Sequence, residues 1–213
     1  MKESAPTVFI VDDDTGVRSS IRVLMKSVAL PAATFASAKD FLAVYDSTQP
    51  GCLVLDIRMP GMSGLELQEA LNERGAVIPV IFITGHGDVP MAVEAMRHGA
   101  FDFLQKPFRD QDLIDRIQKA LARDAETRES LREHGRTRAR IASLTPREKE
   151  VLELLTSGKA NKMMAQDMGL SQRTVEIHRA HVMEKMGARS VAQLVRMVMD
   201  LELRGSPGST VER

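Results

Sequence analysis

The chain of 213 residues has one cysteine and no net charge, and no apolar run in it is long. A single cysteine excludes an internal disulfide and a metal site built from several thiolates. Cys52 lies inside a short apolar run, so packing in a core is its expected job. No run approaches the ~20 apolar residues that a membrane helix needs. The opening Met1-Lys2-Glu3-Ser4-Ala5-Pro6 holds no apolar segment. No secretory signal is therefore expected there, and the expectation is a cytoplasmic protein with no membrane partner. The zero net charge hides a split. Residues 1–121 carry 12 Lys and Arg against 16 Asp and Glu, while residues 122–213 carry 17 against 13. An acidic half suits cations and a basic half suits polyanions. At 43% hydrophobic and 27% charged the composition is that of an ordinary globular chain, and the length fits two domains.

Cys52-Leu53-Val54-Leu55-Asp56 organises the first half. Four apolar residues bounded by turn formers fit a strand buried on both faces, and the run ends on an acid. Thr7 to Val11 is a similar run and ends in Asp12-Asp13-Asp14. Ala32 to Phe35 is a weaker strand, Pro79 to Ile83 ends at Thr84, and Phe101 to Leu104 precedes Lys106-Pro107-Phe108. Helices are expected from near Thr15, after Ser37, from Ser63 to Arg74, from Asp88 to His98, and from near Asp110 past Leu121. Five strands alternating with helices predict a doubly wound, five-stranded parallel sheet, an α/β fold. In such a sheet Asp12, Asp13, Asp14, Asp56, Thr84 and Lys106 follow strand ends on one edge, where open α/β sheets carry their chemistry.

Clustered carboxylates repel unless a cation joins them. Oxygen donors without Cys or His favour a hard ion, Mg²⁺ first. Carboxylate, Mg²⁺ and lysine around one acceptor are what phosphoryl transfer requires. Blander readings stand beside this one. Asp14 fits a helix N-cap better than a metal ligand. Thr84 and Phe103, taken alone, read as ordinary strand residues. His86 fits a solvated loop, and Asp88 a loop or a cap.

Residues 123–133 are almost wholly polar, with Glu and Arg at helical spacing. One long helix is expected to connect the halves, weakest near His134-Gly135; a flexible charged linker is the other reading. Arg136, Arg138 and Arg140 read as a solvated face, with contact to DNA as the alternative. Leu144-Thr145-Pro146-Arg147-Glu148 is a strong helix start. Asn161 to Met168 is a second helix, and Ser171 caps a third with Val175, Ile177, Val182 and Met186 at its apolar positions. Ser190 caps a fourth, which carries Val191, Leu194, Val195, Val198 and Leu201. The turn Gly169-Leu170-Ser171 suits a helix-turn-helix in a small all-α domain. The third helix is then expected in the major groove. Its outer face is expected to carry Gln172, Arg173, Glu176, Arg179 and Lys185, with Thr174 near its start. A plain helical bundle with solvated charges is the alternative.

Val11-Asp12-Asp13-Asp14, Leu55-Asp56-Ile57-Arg58-Met59-Pro60-Gly61, Ile83-Thr84-Gly85-His86-Gly87-Asp88 and Lys106-Pro107-Phe108 resemble the receiver domain of two-component response regulators. The resemblance implies a flavodoxin-like strand order. It implies Asp56 as phosphoacceptor from a sensor histidine kinase, and Mg²⁺ held by Asp13, Asp56 and the Arg58 carbonyl, with Asp12 acting through water. It further implies phosphoryl stabilisation by Lys106 and Thr84, a switch formed by Thr84 and Phe103, and a cis Lys106–Pro107 bond. Gly85 departs from the alanine common in the family, which bears on the loop after Thr84. Asn161-Lys162 and the run Ser171 to Arg179, with the helix start at Leu144, resemble the LuxR-type helix-turn-helix, and Thr174-Val175-Glu176-Ile177-His178-Arg179 is close to the FixJ branch. That adds Lys162 and His178 to the DNA-binding set. It implies pairing through the fourth helix, double-stranded DNA with two half-sites, and RNA polymerase as a further partner; phosphorylation is expected to pair the receivers into a homodimer, to release the C-terminal domain, or both.

The expected organisation is a receiver over 7–121, a helical linker over 122–139 and a DNA-binding domain over 140–204, with the tail from Gly205 disordered. The chain is read as a transcriptional regulator, not an enzyme, beyond the receiver's part in its own phosphorylation and dephosphorylation. Two alternatives remain. One is a constitutive DNA-binding regulator with a scaffold receiver. The other is a phosphatase of the haloacid-dehalogenase type, suggested by the Asp12-x-Asp14 spacing, although Gly16 stands where that motif wants Thr or Val.

Overall fold

In a computed structural model of the chain, residues 5–85 and 89–205 are described. His86 and Asp88, with the loop and capping roles read for them, and the tail beyond Gly205 lie outside those residues. The chain divides into two units, Met1–Glu129 and Ser130–Arg213.

The first unit is built on β3 (Gly51–Asp56), in which all six residues are buried. Around it lie β1 (Thr7–Val11), β2 (Ala32–Phe35), β4 (Val80–Thr84) and β5 (Asp102–Gln105). The order is β2-β1-β3-β4-β5 and every pairing is parallel. Helices α1 (Thr15–Ser27), α2 (Ala38–Val44), α3 (Gly64–Glu73) and α4 (Val89–Arg97) connect the strands, and α5 (Asp110–Ala142) follows the last. Alternate strand residues feed two cores. Phe9, Val11, Leu53, Leu55 and Phe82 pack with Phe41, Leu67 and Leu71. Val8, Ile10, Cys52, Val54, Ile81 and Ile83 pack with Ile21, Met25, Leu113 and Ile117. Each such side chain contributes about 1.5–3 kcal/mol on full burial, which is why the run around Leu53 admits no polar break.

Two glycines exist because backbone passes where a Cβ would stand. A Cβ on Gly51 would lie 2.1 Å from the Thr7 carbonyl oxygen, and one on Gly64 would lie 2.3 Å from that of Asp56. The α3 N-terminus can therefore sit hard against the end of β3. A capping box between Ser63 and Glu66 closes that terminus.

Strand limits differ from the sequence reading by a residue. β5 is Asp102–Gln105 rather than Phe101–Leu104, and Phe101 instead packs part-buried against the second core. Thr84 falls inside β4. Helix α5 is unbroken over 33 residues and passes straight through Gly135. Its polar stretch is not simply solvated. Asp124 is 2% exposed and Arg128 9%. Arg128 Nε donates to both Asp124 carboxylate oxygens at 2.8 Å, and Arg128 Nη1 donates to the Ser47 carbonyl at 2.7 Å. Asp124 Oδ2 also accepts from the Gly51 N–H at 2.9 Å.

The second unit holds α6 (Pro146–Thr156), α7 (Asn161–Met168), α8 (Gln172–Met186) and α9 (Val191–Gly205) around Val151, Leu155, Met164, Val175, Val182 and Leu194. Gly169 ends α7 at φ 65°, a left-handed conformation that favours glycine. Ser171 then caps α8 by accepting from the Thr174 N–H. Among the described residues no helix is long and apolar enough to cross a membrane.

Candidate functional site

The carboxyl ends of β1, β3, β4 and β5 meet at one edge of the sheet, and three of the expected residues meet there through hydrogen bonds. Asp12 is 1% exposed and Asp56 8%. Lys106 Nζ bridges them, donating to Asp12 Oδ2 at 2.9 Å and to Asp56 Oδ1 at 2.7 Å. The second Asp56 oxygen accepts from the Arg58 N–H at 2.8 Å. Asp12 Oδ1 accepts from the Asp14 N–H at 2.8 Å. Burial raises the Asp56 pKa; the bond and charge of Lys106 oppose this, and the Asp12 charge adds to it. Burial pulls the Lys106 pKa down, but its bonds to Asp56 and Asp12 outweigh that and leave it raised. The site thus holds two carboxylates beside one ammonium. It has the charge to accept a further cation and, near Lys106, the charge to hold an anion.

Other expected residues are placed less directly. Asp13 is exposed at the rim. Asp14 caps α1, accepting from the Gly16 and Val17 N–H groups, so its carboxylate is spent on the helix. That weakens an Asp-x-Asp phosphatase reading, which needs both acids at the reacting centre. Thr84 is buried, and its hydroxyl donates to the Gly85 carbonyl at 3.3 Å. Phe103 is 38% exposed and turned outward. The Lys106–Pro107 bond is cis. Among the described residues no three His, Cys, Asp or Glu side chains close round one point as a metal site. The donor chemistry still fits a hard cation: carboxylates from Asp12, Asp13 and Asp56 and the Arg58 carbonyl, all oxygen.

In the second unit α8 presents Gln172, Arg173, Glu176 and Ile177 to solvent. Ile177, expected in the core, is 50% exposed. Four positions after Arg173, it falls on the outward stripe that Arg173 begins. Thr174, His178 and Arg179 are half-buried. Arg179 Nη1 donates to Asn161 Oδ1 at 2.8 Å, and Lys162 is exposed on α7. Lys185 is exposed but points toward α6. Twelve positions after Arg173, it lies about 120° round the helix. There it donates to Glu148 at 2.7 and 2.9 Å. Arg140, read as solvated, donates to the Met186 carbonyl at the end of α8.

The Lys185 bond, followed by the Thr145 N–H, holds the Glu148 pKa down to about 2, from an ordinary value of 4.5. A depressed carboxylate stabilises the fold above its unfolded value and loses that effect as pH falls through the folded one. Thermal denaturation of the wild type and Glu148→Gln at several pH values is expected to show the wild type ahead near neutrality. The gap should shrink as pH falls from about 4.5 toward about 2. A gap independent of pH would show that the ion pair contributes nothing.

Comparison with known proteins matches both units to known families. Residues 8–118 match the response regulator receiver domain, and residues 142–198 match the bacterial regulatory proteins of the luxR family. The chain is 49% identical over 199 residues to the transcriptional regulatory protein FixJ of Azorhizobium caulinodans, covering 93% of this chain and 94% of that one. It is 48% identical over 193 residues to nodulation protein W of Bradyrhizobium diazoefficiens, covering 89% and 84%. Among solved structures, the response regulator StyR is similar with a TM-score of 0.84 and 46% identity, covering 92% of this chain and 99% of that one. Full-length FixJ from B. japonicum gives 0.59 and 39%, covering 94% and 99%. Receiver domains generally bind Mg²⁺ at their acidic phosphorylation site, and a receiver joined to a luxR-family domain implies a sensor kinase and DNA as partners. The chain belongs to the FixJ-like response regulators, transcriptional regulators that join a receiver domain to a LuxR-type DNA-binding domain.

Proposed function

We propose that Asp56 takes a phosphoryl group from a sensor histidine kinase and that this controls binding of double-stranded DNA by α8. The observation that carries the reading is the Lys106 bridge between Asp12 and Asp56 at the sheet edge. An Asp56 oxygen attacks phosphorus, an O–P bond forms, and the bond to the donor's imidazole nitrogen breaks. Lys106 lies where it neutralises the incoming oxygens. Bound by Asp13, Asp56 and the Arg58 carbonyl, with Asp12 through water, Mg²⁺ would supply further neutralisation of the phosphoryl charge. Thr84 then turns its hydroxyl from Gly85 to the phosphoryl group, and Phe103 moves inward. Because positioning comes from the receiver itself, a small acyl phosphate can replace the kinase, and water can later remove the group.

The proposed organisation keeps a receiver over 7–121, a linker over 122–139 and a DNA-binding domain over 140–204. Arg173, Gln172 and Glu176 meet base edges, and Ile177 offers an apolar contact to a thymine methyl. Lys162, Thr174, His178 and Arg179 sit nearer the phosphates. Phosphorylated chains pair, engage two half-sites and gain affinity through effective concentration. RNA polymerase is the further partner, and the cytoplasm is the compartment. The test is DNA binding by the wild-type chain, with and without acetyl phosphate and Mg²⁺, on fragments selected from its own genome. Tighter binding with the phosphodonor, together with one added phosphoryl group by mass spectrometry, is expected. Equal binding in both conditions would favour a constitutive regulator.

A further inference from the structure

The buried pair on α5 stands out from its surroundings. Ala122, Arg123, Ala125, Glu126 and Glu129 are exposed, yet Asp124 and Arg128 are buried. Their partners are Ser47, before β3, and Gly51, its first residue. β3 ends at Asp56. The phosphoacceptor and the helix anchor are therefore the two ends of one strand, about 17 Å apart at β-strand rise. That strand is buried throughout and hydrogen-bonded on both sides, by β1 and β4. A displacement at one end has no slack in which to dissipate.

Tyr45 stands beside the anchor, where the side chain and charge of Arg128 act on its hydroxyl, although neither Arg128 Nη2 nor Tyr45 Oη makes a well-aligned hydrogen bond among the described residues. A buried ion pair costs desolvation that apolar packing avoids, and unpaired buried donors cost more. Leucines here would leave the Gly51 N–H and the Ser47 carbonyl without these partners, so the pair also fixes the chain entering β3. Directional bonds with little net stability suit a contact that must be made and broken.

We propose that Asp124 and Arg128 form a latch that couples α5 to β3 and carries the state of Asp56 to the helix entering the DNA-binding unit. The coupling part rests on Asp56 being the phosphoacceptor; the latch itself does not. It is tested in the full chain with Asp124→Asn, and with Arg128→Lys as the milder change should the first fail to fold. Hydrogen exchange over residues 122–132 should speed up by about 100-fold when the pair is broken, while β3 and β4 stay protected. Tyr45 is the sole tyrosine and tryptophan is absent, so its emission reports from beside the latch and should change in step. Uptake of the phosphoryl group from acetyl phosphate should match the wild type. The wild type should change its DNA affinity by about 5- to 150-fold on phosphorylation, and the variants by less than about twofold.

Unchanged exchange over 122–132 would overturn the latch. Faster exchange with a full DNA response would overturn the coupling and leave a local anchor. If the wild type itself takes up no phosphoryl group, the proposed function fails and the coupling with it, while the exchange result still decides the latch.

Discussion

Asp56→Asn is expected to take up no phosphoryl group from acetyl phosphate and to bind DNA identically with and without the donor. The amide cannot form the acyl phosphate, so the loss is complete rather than partial. The same substitution should stabilise the fold. Burial raises the Asp56 pKa, with the Asp12 charge adding to the rise, and Lys106 does not fully offset it. A raised carboxylate means that its charged form is disfavoured in the folded state. At neutral pH the wild type carries that charge, and asparagine removes it while keeping the shape and the acceptor for Lys106, giving up only the acceptor for the Arg58 N–H. The expected gain is about 2–4 °C in Tm, which ~1 kcal/mol produces in a chain of this size. The gain should shrink as pH falls through the raised value toward the ordinary carboxylate range, because the wild type then loses its charge by protonation. Calorimetry from neutral pH down to about pH 4, the ordinary aspartate value, follows it. A variant less stable than the wild type at neutral pH would mean that the Lys106 bond outweighs burial.

Gly64→Ala should be among the most damaging single methyls in the receiver. The new carbon would stand 2.3 Å from the Asp56 carbonyl oxygen and 3.0 Å from a Phe82 ring carbon. Neither the strand nor the helix start can yield locally, because the Gly64 N–H is itself bonded to the Ile57 carbonyl at 2.9 Å. Overpacking of this kind costs about 3 kcal/mol, read as a lower urea midpoint. Function should suffer more than stability. α3 has to back away from the residue that accepts the phosphoryl group, and a shift of about 1 Å can slow a reaction about 100-fold. Phosphorylation by acetyl phosphate, followed in the fraction that remains folded, separates the two effects. A normal rate in a folded variant would show that the close approach is not needed for the chemistry.

The edge where the chemistry lies was legible because its residues follow strand ends. An unbroken apolar run such as Leu53 to Leu55 has one plausible place in a parallel sheet, and the acid after it has one plausible direction. Caps were legible for the same local reason: Asp14, Ser37, Thr145 and Ser171 each bond to an N–H within three residues. What escaped was long-range. Asp124 lies in a stretch read as almost wholly polar, and nothing nearby in sequence says that the helix returns to the start of β3. Lys185 read as a DNA contact because it is basic and on the right helix. Its partner, Glu148, is 37 positions away. Ile177 was misplaced because apolar residues at helical spacing are taken as core. In a helix that meets DNA, one of them can belong to the surface.

Cys52 turns the centre of the receiver into a clock. It is the chain's only thiol. It sits on β3 with 0% exposure, and burial pushes its pKa up to about 12. A thiol reagent is met by neither an accessible sulfur nor a thiolate while the sheet is closed. Labelling in native buffer therefore counts openings of the strand that ends at Asp56. The rate at which the chain gains one label measures how often that strand leaves the sheet, without denaturant and without an added probe.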